Sequence, residues 1–229
     1  VEAFLDRRVD GLIIVPAETP HEWLRPEVGD RTPVIFVDRP ATGIDADAVL
    51  IDNRGGVRSA VEHLVAHGHR RLGFLGDDGS FWTARERRAG FEESLRALNA
   101  ADGGSLAMGP YSLDDLIAIV REWTSGPDGV TAVVTGNNRV TAQLLHAIRQ
   151  IDAPLALVGF DDFEYADLLD PPVTVVSQDP DALGEQAAHA LFSRLDTASG
   201  DAEPAPVRQI VLPTRLIVRG SAQPPGGSP

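Results

Sequence analysis

Five carboxylates, Asp161, Asp162, Glu164, Asp167 and Asp170, crowd the segment "LVGFDDFEYADLLDPP" (157–172) directly behind an apolar run. Acids at this density could serve as a general acid and base, hold a metal ion, or grip a polar ligand. A carboxylate pair that cleaves a bond must face it from two sides across several ångströms. Neighbours on one turn rarely do so, and acids in a first helical turn also favour the helix N-terminus electrostatically. Asp161 comes first after the strand and is therefore expected to point into a ligand crevice. The four that follow, in a turn and a short helix, are expected to be solvated or capping.

"FWTARERRAGF" (81–91) places Arg85, Arg87 and Arg88 in the first turns of a helix, where cations oppose the macrodipole. Thr83 reads as the N-cap, and Arg87, four residues on, shares its face. A guanidinium fork there could hold adjacent hydroxyls or a carboxylate; the competing reading is a salt bridge to Glu86 or Glu92. "VVTGNNRVTA" (133–142) sets Asn137 and Asn138 at a strand-to-helix junction. An amide there can cap the helix or read a hydroxyl as both donor and acceptor.

Other signals are weaker. His63 and His67 share a helical face at a spacing that metals use, but no glutamate stands between them as in a zincin, and His69 lies beyond the helix stop. "GFLGDDG" (73–79) is not the GxGxxG of a dinucleotide site, and no GxSxG elbow occurs. Neither metal nor cofactor is expected.

Composition narrows the chemistry further. The chain has no cysteine and no lysine; all 20 basic residues are arginine. Thiol nucleophiles, zinc ribbons, Schiff-base lysines and P-loop lysines are thereby excluded. The formal charge of −14 is wrong for a surface that must displace counterions from a nucleic acid. No apolar run reaches the roughly 18–20 residues of a membrane span, and no signal peptide is visible, so a cytoplasmic location is expected. At 229 residues the chain suits one large domain or two intimate ones.

The elements that must position these side chains alternate regularly. "GLIIV" (11–15), "PVIFVD" (33–38), "AVLID" (48–52), "RLGFLG" (71–76), "SLAMGPY" (105–111), "GVTAVVTG" (129–136), "PLALVGFD" (154–161) and "VTVVSQ" (173–178) read as strands. Their near-continuous apolar character suits a sheet covered on both faces. Helical patterns fall at 55–68, with Gly68 as its stop, and at 83–98, 113–123, 138–150 and 181–195. "APVRQIVLPTRLIVRGS" (205–221) reads as a closing pair of strands, 197–206 as a surface loop and 222–229 as a disordered tail. This rhythm predicts an α/β fold with a mainly parallel sheet.

In such sheets ligands bind beyond the carboxyl ends of the strands. The residues there are Pro16, Ala17, Asp38, Arg39, Asp52, Asn53, Asp77, Asp78, Tyr111, Gly136, Asn137, Phe160, Asp161 and Gln178. Polar groups with an occasional aromatic are the lining of a polyol or sugar pocket.

"DGLIIVP", "PVIFVDRP", "VLIDNRGGVRSAVEHLVAHGHRRLGFLGD", "TARERRAGFEESL", "GNNRVTA", "VGFDDFEYADLLDPPVTVVSQDP" and "LPTRLIVRGS" resemble, in order and spacing, the effector-binding core of LacI/GalR transcriptional repressors. The match runs from Val1 to Ser221. The resemblance implies a periplasmic-binding-protein-like type I fold: two doubly wound parallel-sheet subdomains joined by three crossovers, with a sugar or sugar-like effector between them. It implies an N-subdomain of 1–51 plus 180–207 and a C-subdomain of 52–179 plus 208–221. It also implies ligand contacts by Asp38, Thr83, Arg87, Tyr111, Asn137, Phe160, Asp161 and Gln178, and a homodimer with Leu168 and Leu169 at its contact. The family places a helix-turn-helix, a hinge helix and the first strand, first helix and second strand of the N-subdomain before this core. Val1, Phe4 and Leu5 read as the end of a helix, so the N-subdomain is expected to be incomplete and operator binding to need a missing N-terminal domain.

Two other readings compete. A solute-binding protein of a sugar transport system would share fold and pocket but needs export. An α/β enzyme using Asp161 and Asp162 needs a nucleophile or cofactor motif that is not found.

Overall fold

The computed structural model describes residues 9–17, 20–24, 32–98, 104–198 and 206–223. The helix end read at 1–5, most of the 197–206 loop and the tail beyond 223 lie outside them. The described chain forms two compact units. One comprises residues 1–52 and 179–212, the other 53–178 and 213–229.

In the first unit, β1 (Leu12–Ile14), β2 (Val34–Val37), β3 (Asp47–Ile51) and β9 (Gln209–Leu212) form a parallel sheet in that order, with α5 (Pro180–Ala198) packed on it. β2 and β3 are buried at every position; all of β2 and all of β3 after Asp47 are apolar, as a sheet covered on both faces requires. A buried clasp closes this unit. Arg194 on α5 donates from Nε and Nη2 to the two oxygens of Asp47, at 2.8 and 2.6 Å. The backbone N–H of Arg208 adds 2.8 Å to Oδ1, and Arg194 Nη2 also reaches the Pro206 carbonyl at 2.7 Å. Burial alone would raise the Asp47 carboxyl, but the Arg194 fork and the Arg208 N–H outweigh it and hold the group below the usual carboxylate value.

The second unit is built on a six-stranded sheet in the order β10-β8-β7-β6-β4-β5. The strands are β4 (Leu72–Gly76), β5 (Gly104–Met108), β6 (Ala132–Thr135), β7 (Ala156–Phe160), β8 (Thr174–Ser177) and β10 (Arg215–Ile217). All pairs are parallel except β10 on β8. Its helices are α1 (Asn53–Ala66), α2 (Trp82–Ala97), α3 (Leu113–Trp123) and α4 (Asn138–Ile151). Val57, Val61 and Leu64 lie on the buried face of α1, and Leu116 and Val120 on that of α3. Burying each such side chain contributes roughly 1.5–3 kcal/mol. α1 and α2 approach closely because position 90 is glycine: a Cβ there would meet the Arg54 backbone at 2.9 Å. Arg54 then ties them by bridging Glu86 and Glu93. α1 ends where Gly68 takes φ +90°, a conformation that disfavours a side chain.

Several expectations are corrected. β9 and β10 are not a pair: β9 joins β3 in the first sheet, while β10 joins β8 in the second. Residues 208–212 therefore do not belong with the strand that follows them. No helix follows Asp161; residues 161–173 are turns and extended chain. α5 takes in Thr197 and Ala198, read as loop. Ala222, read as the start of a tail, is 1% exposed. It is held because His69 Nε2 donates to its carbonyl at 3.3 Å, with Nδ1 of the same ring 3.0 Å from Thr131 Oγ1. Among the described residues no helix is long and apolar enough to cross a membrane.

Candidate functional site

Five parallel strands of the second sheet end on one edge, and their next residues line it in spatial order. Gln178 follows β8, Asp161 follows β7, Gly136 and Asn137 follow β6, Asp77 follows β4, and the Gly109–Tyr111 segment follows β5. Residues distant in the chain thus become neighbours through sheet topology, where open α/β folds take ligands.

Arg87 is the centre of this row. It is 5% exposed, and its guanidinium carbon lies 3.8 Å from the centre of the Phe160 ring. Nε donates to Asn53 Oδ1 at 2.7 Å, while Nη1 donates to the Gly136 carbonyl at 2.6 Å and to Asp161 Oδ2 at 3.0 Å. Glu86 and Glu92, the local alternatives, are taken by Arg54 and Arg88. Nη2 makes no hydrogen bond among the described residues, so its two N–H groups remain for a ligand.

Asp161 sits at φ +65°, a left-handed conformation that aspartate tolerates better than most residues. Gln178 Nε2 donates to its Oδ1 at 2.8 Å, so each carboxylate oxygen has one internal donor and one lone pair left. The reading of the following acids needs correction for Asp162. It is only partly exposed and is paired: Arg219 forks onto both its oxygens at 3.0 and 2.9 Å and also reaches the Val173 carbonyl, while the Phe163 N–H donates to Oδ1 at 3.0 Å. That fork lowers the Asp162 carboxyl against the opposing effect of burial, and it fixes the turn behind Asp161.

Asn137 caps α4, its Oδ1 accepting from the Val140 N–H at 2.8 Å. Its Nδ2 donates to Asp77 Oδ2 at 2.7 Å, leaving one amide proton. Asp77 Oδ1 also accepts from Arg139 Nη2 at 2.7 Å and the Asp78 N–H at 2.8 Å. The Tyr111 hydroxyl is buried with no hydrogen-bond partner among the described residues. Burial and the charge of Asp77 push its ionisation upward, so it remains an O–H donor.

Thr83 is buried in the first turn of α2, on the face of Arg87, but it is not the cap. The helix begins one residue earlier than expected, at Trp82, with Phe81 as an N-cap whose side chain supplies no capping hydrogen bond. Phe160 is fully buried, with the Arg87 guanidinium over its ring. Asp38 lies after β2 in the first unit, at φ +72°, with Arg39 Nε at 3.3 Å. Leu168 and Leu169 are 75% and 37% exposed, beside exposed Tyr165. In the sequence Asn53 is only one strand-end position among many, and Arg139 does not stand out. The cation-against-dipole signal that picked out Arg87 applies equally to Arg139, the second residue of α4. Among the described residues no group of three or more histidines and acids is arranged to hold a metal ion.

Comparison with known proteins gives this edge its context. Residues 61–222 match the periplasmic binding protein-like domain family. The chain is 28% identical over 210 residues to the probable HTH-type transcriptional regulator EndR of Paenibacillus polymyxa, covering 89% of this chain and 62% of that protein. It is 29% identical over 225 residues to the HTH-type transcriptional regulator CelR of Thermobifida fusca, covering 94% and 64%. The chain thus spans less than two thirds of the length of either. Among solved structures, a complex of the transcriptional regulator CelR with cellobiose superposes with a TM-score of 0.76 at 28% identity, covering 96% of this chain and 68% of that one. The chain belongs to the periplasmic binding protein-like domain family, in the form found in LacI/GalR-family transcriptional regulators.

Proposed function

We propose that this chain is the ligand-sensing core of a LacI/GalR-type repressor and takes a sugar or sugar-like molecule on the Arg87–Asp161 edge of its second unit. The observation that carries the reading is the row itself. Gln178, Asp161 and Arg87 are hydrogen-bonded together, as are Asn137 and Asp77, and both groups keep unused capacity: two N–H groups on Arg87 Nη2, a lone pair on each Asp161 oxygen, and an amide proton on Asn137. Alternating fixed donors and acceptors match a polyhydroxylated ligand, each of whose hydroxyls both donates and accepts. The cellobiose bound to a relative supports a saccharide.

DNA contact would belong to the helix-turn-helix for which the relatives are named, since this chain's charge of −14 opposes it. The effector would act by binding one arrangement of the repressor more tightly than another; equal affinity for both would change nothing. Leu168 and Leu169 are proposed to lie in a homodimer face, and sedimentation of Leu168→Glu would then show monomer where the wild type shows dimer. An unchanged sedimentation coefficient would refute that assignment.

Thermal unfolding against a panel of neutral mono- and disaccharides tests the sugar reading. A ligand at about 100 times its Kd adds roughly 2.7 kcal/mol, which raises Tm by about 5–10 °C for a chain of this length. A panel that leaves Tm unmoved at millimolar concentration would contradict it.

A further inference from the structure

We infer, resting on the sugar-sensing reading above, that the site selects an uncharged ligand over its phosphorylated or carboxylated congeners, and that Asp77 and Tyr111 make the choice. The two cations held in this row are both committed. Arg87 Nη1 is bound to Asp161, and Arg139 Nη2 to Asp77, so each positive charge already has a carboxylate against it. What remains toward a ligand on the Arg87 side is one guanidinium nitrogen whose charge is neutralised by its neighbour.

The β4–β5 end of the row is more restrictive. Three donors occupy Asp77: the Asp78 N–H, Arg139 Nη2 and Asn137 Nδ2. About one of the four acceptor positions of a carboxylate is left, and it asks for a donor. Tyr111 lies on the segment after β5, the strand paired with β4, and its hydroxyl is buried without a partner among the described residues. Its ring lies against Gly109, where a Cβ would meet Tyr111 Cδ2 at 2.7 Å. A buried O–H without a partner is unfavourable, so a ligand group that satisfies it is favoured. A sugar hydroxyl can accept from Tyr111 and donate to a carboxylate. A phosphate or carboxylate can accept from Tyr111 but has no proton for Asp77, and it brings negative charge toward Asp77 and Asp161, whose carboxylates already offset the charges of Arg139 and Arg87.

The test is titration calorimetry on the full chain with matched pairs: D-ribose and ribose 5-phosphate, D-glucose and glucose 6-phosphate, D-glucose and D-glucuronate. The expected result is that the neutral member of at least one pair binds roughly 100-fold or more tightly than its anionic partner, about 2.7 kcal/mol. Asp77→Asn removes the repelling charge and releases Arg139, so the ratio for that pair should narrow by about tenfold or more. A purely structural Asp77 would weaken both members alike and leave the ratio in place, which would overturn its assignment. Tyr111→Phe should weaken the neutral sugar, and unchanged affinity would overturn the role of the hydroxyl. An anionic member that binds as tightly as its neutral partner would overturn charge selection while leaving sugar sensing intact. Failure of every compound to bind would remove both.

Discussion

Arg87→Ala is expected to abolish measurable sugar binding and to lower the melting temperature by on the order of 10 °C. The stability loss follows from what the guanidinium holds. It is 5% exposed, and it satisfies Asn53 Oδ1, the Gly136 carbonyl and one oxygen of Asp161 while stacked on Phe160. Removing one partner of a buried ion pair costs about 3–5 kcal/mol, because the other charge stays buried without compensation. Arg87→Lys separates charge from geometry. A lysine ammonium can face Asp161, but it has no planar fork to reach Asn53 and Gly136 together. It should recover part of the lost stability and little of the binding. Calorimetric unfolding and sugar titration on the same two variants check this, and wild-type stability in Arg87→Ala would contradict it.

The second large effect belongs to the first unit. Asp47→Ala should destabilise that unit by about 3–5 kcal/mol, because Arg194 then loses its carboxylate while remaining largely covered. Removing both partners, as in Asp47→Leu with Arg194→Met, should cost less than the single change, since no buried charge is left alone. The pH dependence has a definite sign. The folded pKa of Asp47 lies below its unfolded value of about 3.9, so the clasp contributes fully above that value. Its contribution is lost as pH falls through the folded pKa. The stability gap between wild type and Asp47→Asn should therefore be constant from pH 7 to about 4 and shrink below that. Denaturant melts at a series of pH values read it directly, and a gap that widens on acidification would exclude the clasp as its source.

Local signals carried much of this structure into the sequence. The strand at 156–160 was readable from its unbroken apolar run and the helix at 138–151 from apolar residues at helical spacing, and Asn137 because capping chemistry is local. Arg87 and Asp161 were readable one at a time, the first from a cation placed against a helix dipole, the second from its strand-end position. Their contact was not readable from composition or spacing, because it joins residues 74 positions apart. The same limit hid the Arg219 fork on Asp162, 57 positions away, and the Arg194 clasp on Asp47, 147 positions away. "QIVLPTRLIV" looked like neighbouring strands because each half is short and β-branched. Which sheet each half joins depends on edges that only the assembled fold presents. Phe160 shows how burial escapes a strand-end argument. It ends its strand as expected, but its ring faces inward beneath Arg87.

The most direct test of the sugar-binding edge is titration of the neutral sugar that stabilises the wild type into Asp161→Asn. Asparagine keeps the side-chain shape and tolerates the left-handed backbone at this position, but it removes the charge paired with Arg87 and one acceptor. The prediction is a loss of affinity of roughly 100-fold or more, about 2.7 kcal/mol, in a variant that still unfolds cooperatively. A folded Asp161→Asn that binds the sugar as tightly as the wild type would contradict the account, because the ligand would then rest elsewhere on the molecule.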